Sequence, residues 1–281
     1  MLRSSVENGA VPFGALRLLR AGSTGLAGSR RSFPALPCRA ITCRPCGAGV
    51  RRFAASRSLL DAAGNLSVQR TAVPNHPPQN LTIATTGASG AIFLRHLLLA
   101  VERDERVETV NFIASDSALR VMAEELGLKG RSNVLGQILG GPGSRASSKT
   151  QVSKIKEQSN SDIGANVASG SYPADAMIVM PCSVGTLARI ANGVASQLIE
   201  RAADVTLKEK RPLVLCVRET PLNKIHIRNM YRAADAGATV FPLIPAFYYG
   251  PASLDEMARE FAYRVLAHLG LPQSDAFRWK G

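Results

Sequence analysis

The sequence predicts an α/β protein with one doubly wound, mostly parallel sheet, and two observations carry this prediction. From Leu81 onward, short apolar runs alternate with amphipathic stretches, which is the rhythm of repeated βαβ units. The runs are mostly apolar on both faces, as parallel strands are when helices cover both sides of their sheet. The region that they span, about 190 residues, is long enough for one sizeable core.

Each element can be placed along this region. The predicted strands cover residues 81–86, 109–114, 176–180, 212–217 and 239–244. Helices are predicted at 92–102, 201–210 and 254–269; the last has apolar residues at i, i+3, i+4 and i+7 spacing behind a capping box. The alternation favours a fold of Rossmann or flavodoxin type in a single domain, 81–281.

Two segments break the pattern. Residues 58–80 are polar and contain three prolines, so they are predicted to be a linker. Residues 128–150 are rich in Gly and Ser, which predicts a mobile loop. No window is apolar for 18 residues, and the best candidate, 176–188, is broken by Pro181, so no membrane span is predicted.

The positive charge of the chain is concentrated at its start. The 281 residues carry a formal net charge of +13, of which residues 1–57 account for +9, with ten Arg and no Lys. Because this segment is Arg-rich, Ser-rich and poor in acids, it is predicted to be a mitochondrial transit peptide, with processing near Phe53. The alternative is a disordered basic arm that binds nucleic acid. The remainder carries only +4, so no nucleic-acid partner is predicted for the fold.

The cysteines divide in the same way. Cys38, Cys43 and Cys46 lie in the leader, and no second Cys or His pair completes the Cys43-x-x-Cys46 spacing, so no metal site is predicted. Cys182 and Cys216 lie in apolar, strand-like segments and are predicted to be reduced thiols.

Candidate ligand residues follow the strands, because ligands of such sheets bind at the carboxyl ends of the strands. Gly87 and Gly90 follow the first strand and permit either close approach of an anion or tight packing. Ser115 follows the second strand. The residues after the third strand, 183–186, offer hydroxyl groups that cap a helix or hold a phosphate.

The last two strand ends complete this set. Arg218 and Glu219 follow the fourth strand and form either a surface ion pair or a fixed cation beside a carboxylate that handles a proton. An aromatic run, 245–250, follows the fifth strand. Four of the five strand ends therefore suit a planar, phosphorylated ligand.

Several segments together resemble one family. The motifs at 86–91, 169–171, 181–183, 201–205, 207–214, 218–222 and 245–248, and the terminal Arg278-Trp279, look like those of the flavin prenyltransferases of UbiX type, once described as aromatic acid decarboxylases. The resemblance runs in order over 81–281. Gly185 stands where some members have Lys and others have Gly.

The resemblance implies a reaction without a metal. Members join a dimethylallyl group, delivered as its phosphate, to N5 and C6 of reduced FMN, and the prenylated FMN serves a UbiD-type decarboxylase. Members assemble as dodecamers. The resemblance leaves open whether the donor is dimethylallyl monophosphate or diphosphate. With the mitochondrial leader, it favours ubiquinone biosynthesis over detoxification of aromatic acids.

The resemblance also assigns roles to residues of this chain. It places the flavin against Gly87, Ala88, Ser89, Ser115, Ser183, Val184, Gly185, Thr186 and Arg218. It places the prenyl phosphate against Arg201, Lys208, Tyr248, Arg264 and Trp279, with Arg201, Lys208 and Trp279 acting across subunits. It makes Ser89, Glu219 and Lys208 the catalytic residues, with Glu219 as the acid and base.

Three alternatives stay open at this point. The charged helix 201–210 is also explained by simple exposure to solvent. An FMN-dependent decarboxylase of a cysteine-derived substrate would share the fold, but its catalytic His has no counterpart, since no His lies between His96 and His226. A flavin-binding regulatory subunit without activity is disfavoured because the family's catalytic and phosphate-binding residues are retained together.

Overall fold

Six parallel strands form one sheet in the computed structural model, which describes residues 76–130, 133–140 and 153–279. The strands are β1 (Asn80–Thr85), β2 (Thr109–Ala114), β3 (Ile155–Ser159), β4 (Ala176–Cys182), β5 (Leu213–Val217) and β6 (Thr239–Val240), in the spatial order β3-β2-β1-β4-β5-β6. The predicted doubly wound sheet is thereby confirmed, and its order reverses between β1 and β4. The predicted leader with its cysteines and most of the predicted linker lie outside the described residues.

Helices cover both faces of the sheet. They are α1 (Ala91–Arg103), α2 (Asp116–Leu126), α3 (Val134–Gly140), α4 (Val184–Ala191), α5 (Leu198–Lys208), α6 (Lys224–Asp235) and α7 (Leu254–His268). On one face, α1, α2, α3 and α7 pack on a core that includes Leu94, Phe112 and Leu266. On the other, α4, α5 and α6 pack on a core that includes Ile113, Val179 and Leu187. Both faces of β2 are therefore buried, as its mostly apolar sequence requires, and its one buried amide, Asn111, is hydrogen-bonded to Asn80, Tyr172 and Gln158.

The structure differs from the prediction at both sheet edges. Strand β3 was not predicted because its sequence, Ile-Lys-Glu-Gln-Ser, is polar, and only Ile155 is buried. Polar side chains suit an edge strand, which is exposed and must resist pairing with other chains. Strand β6 covers only Thr239–Val240, but backbone bonds to β5 continue, because the N–H groups of Phe241 and Leu243 donate to the carbonyls of Leu215 and Val217 at 2.9 and 2.8 Å. Pro245, the next position of this alternating series, has no N–H to donate.

The predicted loop at 128–150 contains a short helix. Helix α3 buries Val134 and Ile138 against the core. The glycine-rich composition concealed these two apolar positions, one helical turn apart, which anchor the segment. Of the described residues, none belongs to a helix long and apolar enough to cross a membrane.

One buried hydroxyl ties the two central strands together at their carboxyl ends. The Thr86 hydroxyl donates to the carbonyl oxygen of Pro181 at 3.0 Å and accepts from the N–H of Ser183 at 2.7 Å. The N–H of Thr86 also donates to the Pro181 carbonyl at 3.1 Å. These bonds set the loop after β1 against the start of α4, at the point where strand order reverses and ligands of doubly wound sheets bind.

Candidate active site

A polar pocket of about 390 Å³ lies at the carboxyl ends of the central strands. Ser115 begins α2 by accepting a hydrogen bond from the N–H of Ala118 at 3.1 Å, and Ser183 begins α4 by accepting one from the N–H of Thr186 at 3.3 Å. Capping by Ser places both hydroxyls at the wall of the pocket, since it fixes each side chain over the first turn of its helix. Gly185 is exposed on the same wall, and Val184 is half-buried.

The loop after β1 is tightly packed at both of its glycines. A Cβ on Gly87 would lie 2.5 Å from Ser117, and a Cβ on Gly90, whose φ is +123°, would lie 2.6 Å from the Leu243 side chain. Glycine is therefore required at Gly90 by both its backbone angle and its neighbour. Of the two interpretations of this motif, tight packing is the one that the structure demonstrates. Between the glycines, Ala88 is buried and Ser89 is exposed.

The start of α1 is occupied by a carboxylate that sequence reasoning missed. Glu125 accepts hydrogen bonds from the N–H of Gly90 at 2.9 Å and of Ala91 at 2.7 Å, and from the Ser89 hydroxyl. These N–H groups are therefore already paired. They are not free to bind an anion, which was one of the two interpretations that the sequence suggested. Nothing in the spacing of the α2 sequence signals this contact, because it joins residues 34 or 35 positions apart.

Two opposing effects set the pKa of Glu125. Burial opposes ionisation, but the hydrogen bonds from Ser89, Gly90 and Ala91 and the positive charge of Arg218 outweigh it, so the pKa lies below its usual value. Glu125 is therefore a carboxylate at neutral pH, held beside the exposed Ser89 hydroxyl. Its charge also complements the positive end of the α1 dipole.

Arg218 and Glu219 follow β5 along the same edge. The N–H of Arg218 donates to the Cys182 carbonyl at 3.0 Å, which holds the end of β5 against β4. Both side chains are exposed, and among the described residues the Glu219 carboxylate accepts only from the N–H of its neighbour Thr220, at 2.9 Å. The structure therefore brings Arg218 near Glu125 and leaves Glu219 accessible, without an ion pair between Arg218 and Glu219.

An aromatic pocket of about 260 Å³ lies beside this edge. Tyr248 accepts a 3.4 Å hydrogen bond from Arg264, and its ring lies 5.6 Å from Trp279 and 5.7 Å from Phe277. The structure thus brings three predicted substrate residues together: Tyr248, Arg264 and Trp279. Leu243 packs on Gly90 and its neighbour Ile244 lines the aromatic pocket, so this pocket adjoins the loop after β1.

Two predicted residues lie apart from the others. Helix α5 begins beside Asn160, just after the carboxyl end of β3, and runs 11 residues, about 16 Å, to Lys208. Lys208 pairs with Glu209 close to Gly170, before the amino end of β4. Arg201 is half-buried, bonding the Ala168 carbonyl and Asp204. Within one chain, Lys208 is therefore separated from Ser89 by the length of the sheet.

The two body cysteines are buried, unpaired thiols, as predicted. Burial raises the pKa of Cys182 to about 12, and it raises the pKa of Cys216 as well. Because the thiolate is the reactive form, neither side chain is a nucleophile at neutral pH. No group of three or more His, Cys, Asp or Glu side chains suited to a metal ion occurs within 76–130, 133–140 and 153–279.

The fold and the two pockets define an α/β protein with a ligand site at the switch point of its sheet. The polar pocket offers hydroxyl groups and two helix starts to a phosphate, and the adjoining pocket offers aromatic rings and a guanidinium group. These donors fit the phosphate, hydroxyl and ring groups of a flavin mononucleotide.

Comparison with known proteins narrows this class. The family model named Flavoprotein matches residues 70–258. A flavin prenyltransferase UbiX from Deinococcus radiodurans is 41% identical over 207 residues, covering 74% of this chain and 96% of that protein. The chain therefore belongs to the flavoprotein family and, within it, to the flavin prenyltransferases of UbiX type.

Solved structures agree with this assignment. AnUbiX (PadA1), crystallised with FMN and dimethylallyl pyrophosphate, is 36% identical with a TM-score of 0.62, over 72% of this chain and 98% of that one. A dodecameric, FMN-dependent UbiX-like decarboxylase from Escherichia coli O157:H7 is 35% identical with a TM-score of 0.62, over 72% and 100%.

The contact between Glu125 and α1 predicts a pH-dependent loss of stability. Replacing Glu125 with Gln should reduce the free energy of unfolding by about 0.5–1 kcal/mol at pH 7, because an exposed helix-end charge is partly screened by solvent. Because folding lowers the pKa of Glu125, the wild type should be more stable than Glu125→Gln above pH 5. This difference in the free energy of unfolding should disappear as the pH falls toward 3. Denaturant unfolding across pH measures this.

The neighbouring carboxylate supplies the control. Glu124 is exposed on the same turn of α2, so Glu124→Gln should leave the free energy of unfolding nearly unchanged at every pH. A Glu125→Gln deficit that stays constant from pH 7 to pH 3 would contradict the assigned charge interaction.

Proposed function

We propose that this chain transfers a dimethylallyl group from a dimethylallyl phosphate to N5 and C6 of reduced FMN, forming prenylated FMN. The observation that carries the proposal is the presence of a polar pocket and an aromatic pocket with a guanidinium group beside the loop after β1, whose Gly87 packs on Ser117 and whose Gly90 packs on Leu243. Membership of the flavin prenyltransferases supports the same activity.

The polar pocket suits the acceptor. When bound, reduced FMN supplies the ring atoms at which the new bonds form. Ser115, Ser183 and Thr186 present hydroxyls along the pocket wall, and Ser89 and Arg218 lie nearby at the ends of β1 and β5. Hydrogen-bonding groups fixed on helix starts and strand ends hold a ligand in one orientation, which favours bond formation.

The aromatic pocket suits the donor. Breaking the ester's carbon–oxygen bond leaves the electron pair on the phosphate, so the enzyme must hold a developing negative charge. Arg264 and the Tyr248 hydroxyl, 3.4 Å apart, are placed to bind that phosphate. Phe277 lines this pocket and Trp279 packs against Tyr248 beside it, so their rings offer an apolar surface to the five-carbon group.

Glu219 is the carboxylate available for the protons displaced as the new ring closes. It is exposed, and in the part of the chain that the structure describes its carboxylate accepts a hydrogen bond only from the N–H of Thr220, so it can contact a ligand. Glu125 is a poor proton acceptor, because its hydrogen bonds and Arg218 lower its pKa; it orients the Ser89 hydroxyl instead. We assign Glu219 the acid and base role and Ser89 the orientation of that exchange.

A second copy of the chain completes the site. Lys208 lies at the amino end of the sheet, so it reaches a prenyl phosphate at the carboxyl end only if another subunit contributes it. A head-to-tail interface, in which opposite ends of the sheet meet, gives this arrangement and closes into symmetric assemblies. The dodecamer of the Escherichia coli relative supports such an oligomer here.

The transferase reaction predicts a change in flavin mass. Purified residues 58–281, given reduced FMN and either dimethylallyl monophosphate or diphosphate under anaerobic conditions, should yield flavin heavier by one five-carbon unit. Glu219→Gln should retain FMN binding and lose about 100-fold or more in rate. Mass spectrometry of the extracted flavin measures both, and filtered product should activate an apo UbiD-type decarboxylase, its proposed recipient.

Each alternative activity gives a different result in the same assay. An FMN-dependent decarboxylase or a regulatory flavin-binding subunit would return flavin of unchanged mass with both donors. That outcome would reject prenyl transfer. Wild-type rates in Glu219→Gln would reject the acid and base role of Glu219 alone.

We also propose that residues 1–57 direct the protein to mitochondria, where the product serves ubiquinone biosynthesis. Ten Arg and a single acidic residue in this segment support the proposal. Isolated mitochondria should import and shorten the full chain but leave residues 58–281 outside, as judged by protease protection. Equal import of the two proteins would contradict the proposal.

A further inference from the structure

Arg189 on α4 is held rigidly at the wall of the polar pocket. Its Nε donates to Glu200 at 2.7 Å, and its Nη2 donates to the Thr186 hydroxyl at 3.1 Å. Its Nη1 makes no hydrogen bond within the described part of the chain. This nitrogen lies 3.8 Å from where a Cβ of Gly185 would be, on the open wall of the pocket. Two nitrogens of the guanidinium group, Nε and Nη2, are therefore paired, and the third, Nη1, is directed to the pocket.

Glu200 fixes the position of this guanidinium group. The Glu200 side chain is only 2% exposed. One of its oxygens accepts from Arg189, and the other accepts from the N–H of Gln197 at 3.1 Å, as part of the capping box of α5. A buried carboxylate requires such partners, because an unpaired charge is costly away from water. The guanidinium group is consequently oriented before any ligand binds.

The pocket around Arg189 has the chemistry of a phosphate site. Hydroxyl groups of Ser115, Ser117 and Ser183 line it, and none of its lining residues is aromatic. Two carboxylates, Asp116 and Glu200, also line the pocket, and Arg189 is the cation among the lining residues. Its charge is shared with Glu200, so the contribution of Arg189 to anion binding lies in the hydrogen-bond donor that Nη1 directs to the pocket.

We propose that Arg189 binds the phosphate of FMN through Nη1, and so makes the site select FMN over riboflavin. The inference rests on the proposed function, in which FMN is the prenyl acceptor. A phosphate monoester carries close to two negative charges at pH 7 and accepts hydrogen bonds from guanidinium and hydroxyl groups together. Because this phosphate does not react, Arg189 is a binding residue and not a catalytic one.

The test compares two ligands that differ only in the phosphate. Titration of the purified oligomer with FMN or riboflavin, followed by flavin fluorescence, gives both affinities. Arg189→Gln should weaken FMN binding by about 10- to 100-fold and leave riboflavin binding unchanged, since a charge-assisted hydrogen bond is lost. Arg189→Lys should recover part of the FMN affinity by restoring the charge.

Two further variants separate the contact of Arg189 with the phosphate from the loss of a positive charge elsewhere and from a change in the orientation of Arg189. Arg120→Gln removes the same charge from an exposed position of α2 outside this pocket, and should leave FMN affinity unchanged. Glu200→Gln should weaken FMN binding less than Arg189→Gln, because the guanidinium group stays but loses its fixed orientation.

The outcomes distinguish this inference from the proposed function. Failure of wild type to bind FMN would overturn the proposed function. FMN binding that is insensitive to Arg189→Gln, or an equal loss of FMN and riboflavin binding, would overturn the inference alone. If the loss of FMN and riboflavin binding were equal, Arg189 would only support the fold of the pocket.

Discussion

The hydrogen bonds of one buried hydroxyl, that of Thr86, connect the two strands on which the site depends. Strand order reverses between β1 and β4, so the helices that follow these strands lie on opposite faces and leave a crevice at the carboxyl edge. By bonding Pro181 and Ser183, Thr86 sets the loop that carries Ser89 against the helix start that carries Thr186. The two pockets and the Glu125 contact are all arranged around this junction.

The sequence predicted much of this arrangement, because apolar runs and strand-end residues report local structure. It predicted the parallel sheet and five of the six strands. The family resemblance gave Tyr248 and Arg264 a shared role but placed Trp279 across subunits, whereas the structure places the Trp279 ring 5.6 Å from Tyr248 of the same chain. Strand β3 was not predicted because an exposed edge tolerates polar residues. Helix α3 was not predicted because only two buried side chains anchor it. The contact of Glu125 with the start of α1 and the ion pair of Arg189 with Glu200 were not predicted. Both join separate helices, and no local sequence pattern encodes such contacts.

The basic character of the chain divides into parts with different physical roles. Most of the excess lies in residues 1–57, outside the fold. Within the fold, individual cations meet specific partners: Arg218 acts on Glu125, Arg189 on Glu200, and Arg264 on Tyr248. This dispersed charge suits small phosphorylated ligands, whereas a nucleic-acid surface requires a continuous basic patch. Lys208 and Arg201 lie on α5, away from the group at this edge, and the proposed oligomer accounts for the distance of Lys208 from that group.

Mixed oligomers test this central claim most directly. A Ser89→Ala chain and a Lys208→Ala chain, each inactive alone, are co-expressed with different affinity tags, and the oligomers that carry both tags are assayed for the gain in flavin mass. If Lys208 serves the site of a neighbouring subunit, random mixing restores roughly a quarter of wild-type activity, because some sites then combine intact Ser89 with intact Lys208. Mixed oligomers that remain inactive, or a Lys208→Ala chain that is fully active alone, would contradict the account.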